Sequence, residues 1–122
     1  MMNTVLVVDD RYRFVRLHVD NLHGSNLQVV TATSLDELTA MYERHRDELA
    51  GIILDGCVPG DKLNTLPFIQ AVYSDRQEGL FNGLLIAASS DPSYRQAMVQ
   101  HGCTHEAPKS EAAELLRRLL GK

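Results

Sequence analysis

Thr4-Val5-Leu6-Val7-Val8, followed at once by Asp9-Asp10, is the stretch on which the fold of this chain turns. Five residues run without a charge, and four of them are valine or leucine. That is the pattern of a strand buried on both faces rather than on one. Two carboxylates then stop it. A strand covered on both sides needs a helix above and below it, and the segments that follow supply them.

Tyr12 to His23 places Phe14, Leu17 and Leu22 among arginines and aspartate, and Gly24 marks its end. Leu27 to Thr33 is β-branched and reads as a second strand. Ser34-Leu35-Asp36-Glu37 is a capping box, with Leu35, Leu38, Tyr42, His45 and Leu49 at helical spacing behind it. Gly51 to Leu54 forms the third strand and ends on Asp55. After a Gly/Pro-containing loop to about Asn64, Leu66, Ile69 and Val72 share a helix face. Gly83 to Ala88 is the fourth strand, and Asp91-Pro92 opens the next helix, which Gly102 ends. Thr104 to Ala107 is a short fifth strand, and Ser110 is expected to cap a last helix striped by Ala112, Leu116, Leu119 and Leu120.

Regular alternation of strand and helix implies a parallel sheet with right-handed crossovers. Five such units in 122 residues suit an open flavodoxin-like sheet, order 2-1-3-4-5 with helices on both faces, better than an eight-fold barrel. Neither a repeat nor a linker interrupts residues 1–122, which read as one domain with no output domain following Lys122.

Composition excludes several classes. The net charge of −4 offers no basic surface for nucleic acid; Arg11, Arg13 and Arg16 read as a solvated helix face or a protein-docking patch. Nothing approaches the roughly 18 apolar residues of a membrane span, and the N-terminus lacks the form of a signal peptide. Cys57 and Cys103 have no C-x-x-C spacing and read as reduced thiols, so a cytoplasmic location is expected. The five histidines show no paired zinc spacing.

Ligands of open α/β sheets bind beyond the carboxyl ends of the strands. That rule gathers Asp9 and Asp10 after strand one, Asp55 after strand three, Ala87 to Ser90 at the end of strand four and Lys109 after strand five. Three carboxylates so placed repel one another unless a cation neutralises them. Hard oxygen ligands in a small site suit Mg²⁺ or Mn²⁺. A carboxylate is also a nucleophile toward phosphorus, with the metal and a lysine balancing the charge of the transferring oxygens. Asp55, alone at its strand end before a glycine-containing loop, is the expected acceptor.

Leu6-Val7-Val8-Asp9-Asp10, Ile52-Ile53-Leu54-Asp55 with Pro59 four residues on, Gly102, and Lys109 seven residues later together resemble the receiver domain of two-component response regulators. The resemblance spans essentially the whole chain. It implies that Asp55 receives a phosphoryl group from a sensor histidine kinase or phosphotransfer protein, and that the signal passes by protein contacts to a downstream target. It implies further that Asp10, Asp55 and the Cys57 backbone carbonyl ligate Mg²⁺, that Asp9 assists through water, and that Lys109 contacts the phosphoryl group. The domain would then be no enzyme beyond self-phosphorylation and slow self-dephosphorylation, tuned by side chains near Cys57 and Ser89. By the same analogy the Tyr12–His23 helix is the kinase-docking surface.

Three positions depart from the receiver pattern. Ala87 stands where receivers keep a Thr or Ser switch hydroxyl, with Ser89 or Ser90 as possible substitutes. Glu106 stands where they keep an aromatic switch, and a carboxylate there cannot enter an apolar hollow without a large desolvation cost. Pro108 precedes Lys109, whereas the family has proline after the lysine. Ala87 and Glu106 favour, as the alternative, a pseudo-receiver that binds partners without phosphorylation, and the intact acidic set argues against it. A dehalogenase-like phosphatase would want a second aspartate two positions beyond its nucleophile, and Arg11 and Cys57 occupy those places. A flavin protein would want a Ser/Thr/Gly-rich phosphate loop where Asp9-Asp10-Arg11 stands.

Overall fold

The computed structural model describes residues 2–122. Its strands are β1 (Thr4–Val8), β2 (Gln28–Ala32), β3 (Leu49–Leu54), β4 (Leu84–Ala87) and β5 (His105–Glu106). The helices are α1 (Tyr12–Asn21), α2 (Leu35–His45), α3 (Leu66–Gln77), α4 (Pro92–His101) and α5 (Ala112–Leu120). All strands are parallel, in the order β2-β1-β3-β4-β5, so the expected topology is the one observed.

β1 and β3 are buried at every residue, as their uninterrupted apolar sequence requires. One core layer lies beneath α2, α3 and α4, where Leu6, Val8, Ile52, Leu54 and Ala87 meet Leu38, Tyr42, Ile69 and Met98. The other lies beneath α1 and α5, where Val5, Val7, Ile53, Ile86 and Ala88 meet Val15, Ala112, Ala113 and Leu116. Successive strand residues alternate between the two layers, as the pleat dictates.

Several local expectations need correction. Leu49 does not continue α2: a 3₁₀ turn at Arg46–Glu48 ends the helical path, and Leu49 opens β3 opposite Thr4. The buried stripe of α1 is Val15, His18 and the following Leu22, while Phe14 and Leu17 sit at its margins. In the capping box Ser34 accepts from the Glu37 N–H at 3.2 Å, but Glu37 accepts from Thr33 N–H and Oγ1 rather than from Ser34. Ser110 does not cap α5; it lies in a turn, and Glu111 is the cap position with no side-chain bond. Asp91 does cap α4, accepting from the Ser93 N–H at 2.8 Å. β5 has only two paired residues, but Thr104 N–H and Ala107 N–H extend its ladder to Leu85 and Ala87 carbonyls. Gly102 ends α4 at φ +137°, where a Cβ would stand 2.9 Å from that of Tyr73. Among the described residues no helix is long and apolar enough to cross a membrane.

Candidate functional site

Register alone brings the first two carboxylates together. Val8 pairs with Leu54, and the Asp55 N–H continues the ladder to the Val8 carbonyl at 3.0 Å. Asp9 and Asp55 therefore leave the sheet side by side. Asp9 is 1% and Asp55 6% exposed; Asp10, one residue further, is half-buried. The three can present one oxygen each within 4.8 Å of one another.

Lys109 reaches them from the loop after β5. Its Nζ lies 2.8 Å from Asp9 Oδ2 and 3.4 Å from Asp55 Oδ2, and the residue is 8% exposed. The same ammonium sits 4.2 Å from the centroid of the Phe14 ring. Pro108 before the lysine does not prevent this approach; the cis peptide of the described chain is Val58–Pro59, in the loop after β3.

That loop is tied down on the pocket side. Gly60 N–H donates to Asp10 Oδ2 at 3.0 Å, Arg11 pairs with Asp61 at 3.6 Å, and Tyr94 Oη donates to the Asp61 carbonyl. Asn64 clasps both the N–H and the carbonyl of Val58, and Asn64 N–H and Thr65 Oγ1 both donate to the Gly56 carbonyl. Among the described residues nothing donates to the Cys57 carbonyl between them. Burial, with the Asp55 charge adding to it, pushes the Cys57 thiol up to about 11, which leaves it protonated and unreactive.

The cleft so formed holds about 170 Å³ and is lined by Asp10, Asp55, Cys57, Ser89, Ser90 and Lys109, with Arg11 and Tyr94 at its edge. Ala87 is fully buried in the α2–α3–α4 core layer and does not line it. Glu106 is exposed on β5 and pairs with Arg95 at 3.2 Å. Ser89 and Ser90 both line the cleft; Ser89 Oγ accepts from the Asp91 N–H at 3.2 Å.

Charge at the Asp9–Asp10–Asp55 cluster is not balanced, and the one other cation of the cleft lining, Arg11, is accompanied there by Asp61 and Asp91. One ammonium faces three carboxyl groups, and burial, then the Asp9 charge, push Asp55 up to about 6 against the pull of Lys109 and the Cys57 N–H. Asp9 Oδ1 accepts from the Arg11 N–H at 2.9 Å, while its buried Oδ2 has the ammonium nearby and no well-aligned hydrogen bond. An oxygen-only donor set with surplus negative charge and an under-bonded buried oxygen fits a small hard dication.

Four residues escaped the sequence reading of the site. Phe14 belongs to the apolar pattern of α1 in the sequence, and His18, 1% exposed with an unbonded Nδ1, carries no motif. Burial lowers the His18 pKa, and the Asp9 charge offsets this only in part. Gly60 and Arg95 carried no motif. Their partners lie 50 and 11 residues away, beyond any local pattern.

The chain matches no family model and no curated protein at a significant level. Its fold, however, is shared with many solved structures. The chemotaxis response regulator CheY4 of Vibrio cholerae is 25% identical, with TM-score 0.72, 99% of this chain and 98% of that one being covered. A response regulator receiver domain protein from Clostridium thermocellum is 18% identical at TM-score 0.76, over 97% and 90% of the two chains. The BeF3-activated N-terminal receiver domain of Klebsiella pneumoniae RstA is 19% identical at TM-score 0.72, over 97% and 96%. The chain thus shares, over essentially its whole length, the fold of these receiver domains, and its acids gather at the carboxyl edge of its five-stranded sheet.

Proposed function

We propose that the chain is a phosphoacceptor, taking a phosphoryl group onto Asp55 from a histidine kinase or phosphotransfer protein and signalling through protein contacts. The observation that carries this reading is the buried Asp9–Asp55–Lys109 constellation, whose Asp55 and Lys109 line a surface cleft. An oxygen of the Asp55 carboxylate would form the bond to phosphorus as the bond from phosphorus to the donor nitrogen breaks, the bonding pair leaving on that nitrogen, which takes its proton from water. Lys109, already 3.4 Å from Asp55, is placed to hold a phosphoryl oxygen as the Asp55 charge passes outward. Asp10, Asp55 and the Cys57 carbonyl would hold Mg²⁺ or Mn²⁺, with Asp9 alongside; when bound, the ion neutralises charge on the transferring oxygens. The Ser89 and Ser90 hydroxyls line the same cleft and are the donors available to the new phosphoryl group in the absence of one at position 87.

Acetyl phosphate or beryllofluoride with Mg²⁺ tests this directly. The expected result is one added phosphoryl group by mass, or amide shifts around Asp55, in wild type and neither in Asp55→Ala. Wild type indistinguishable from Asp55→Ala would remove the proposal. The second reading is a partner-binding module independent of phosphorylation. It is favoured by Ala87, which offers no hydroxyl, and by Glu106, which is committed to a surface ion pair.

A further inference from the structure

Arg95 sits in the first turn of α4 with its side chain 13% exposed, and both of its directed contacts leave the helix. Nη1 donates to the Ser89 carbonyl at 2.8 Å, and Nε donates to Glu106 Oε1 at 3.2 Å. Ser89 and Ser90 line the acidic cleft. Glu106 lies on β5, at the outer edge of the sheet, and is not part of that lining. A guanidinium is a rigid planar fork whose donors cannot be repositioned independently. Motion of the Ser89 carbonyl that keeps its charge-assisted bond must therefore carry the guanidinium with it, and with the guanidinium the bond to Glu106. Ala87, the β4 residue paired with Glu106, offers no polar side chain for a competing route, having only a methyl group enclosed in the core.

We propose that Arg95 is a positioning residue of the acidic cleft, setting the Ser89–Ser90 loop and carrying a displacement of that loop to Glu106. The displaced Glu106 is presented beside Glu111, Glu114 and Leu115, on a shallow surface depression lined also by Arg118. The event that moves the loop, Asp55 phosphorylation, rests on the preceding reading; the link itself does not.

Amide NMR of wild type, Arg95→Met, Glu106→Gln and the control Glu111→Gln tests it. With Mg²⁺ and beryllofluoride, wild type and control should shift at residues 55–57, 89–90 and 105–107. Arg95→Met and Glu106→Gln should keep the first two sets and lose the third. Undiminished shifts at 105–107 in either variant overturn the proposal. If wild type shows no response at Asp55, the phosphoacceptor reading alone fails, and the link is decided without additive. Glu106→Gln should then move the Ser89 and Ser90 amides where Glu111→Gln does not, and unmoved amides overturn it. Glu106→Gln also decides the matter should Arg95→Met fail to fold.

Discussion

At Lys109 two carboxylates and an aromatic face share one ammonium, and the ring is the partner that takes up none of its N–H donors. Phe14 thus holds the cation while leaving those donors for incoming oxygens. A cation–π contact at a largely desolvated site is worth about 0.5–2 kcal/mol. Phe14→Leu, which keeps the apolar bulk, should therefore lose about 1 kcal/mol of unfolding free energy by urea titration. The same substitution in a Lys109→Met background should lose clearly less; equal losses would show that the ring acts only by packing. His18 makes a second prediction. Its pKa is lowered by burial below the usual 6.5, so the folded state binds its proton less readily than the unfolded chain. The stability it contributes is complete above about pH 6.5 and is lost as pH falls below that value. Denaturation midpoints at pH 7.5 and 5.5 should fall further for wild type than for His18→Leu. Neither residue was distinguishable in the sequence, where Phe14 and His18 are two hydrophobic-side positions of one amphipathic helix.

Helix α5 packs so closely on β3 that Gly51 has no room for a side chain: an ideal Cβ there would stand 2.5 Å from Leu116 Cδ1. Leu116 is fully buried in the α1–α5 layer. Leu116→Ala should cost about 2–5 kcal/mol through lost burial and a residual cavity. Gly51→Ala should cost about 1–3 kcal/mol by overpacking. The double variant should cost less than the two together, since the added methyl enters the vacated space; strict additivity in chemical denaturation would contradict this fit. The existence of these elements was legible from hydrophobic period and from caps such as Asp91. Their rotation was less so. The α1 stripe shifted from Phe14 and Leu17 to Val15 and His18 because a helical wheel with apolar residues on adjoining positions turns to suit the sheet beneath it. Leu49 satisfied both the helical period and the strand, and pairing with Thr4 on β1 decided between them.

Across the whole molecule, an ion held at the acidic edge, as proposed, would couple its binding to the stability of the fold. A ligand that binds the folded state alone stabilises it by about 2.7 kcal/mol at a hundred times its dissociation constant. Mg²⁺ should therefore raise the melting temperature of wild type, and a chelator should reverse the rise. Asp10→Asn and Asp55→Asn should each suppress the response, in scans with and without the ion. An equal response in both variants would place the ion elsewhere.

Sequence by itself determined the order of strands and helices, the parallel sheet, and the gathering of Asp9, Asp10, Asp55 and Lys109 at one edge of it. These follow from period, crossover handedness and strand ends, all of which are local or topological. Tertiary structure decided what surrounds those groups. The Phe14 ring against Lys109, the Gly60 N–H on Asp10, and the Arg95 fork between Ser89 and Glu106 each join distant segments. Such contacts depend on helix rotation and loop path, and these are settled by packing in three dimensions rather than by any pattern along the chain.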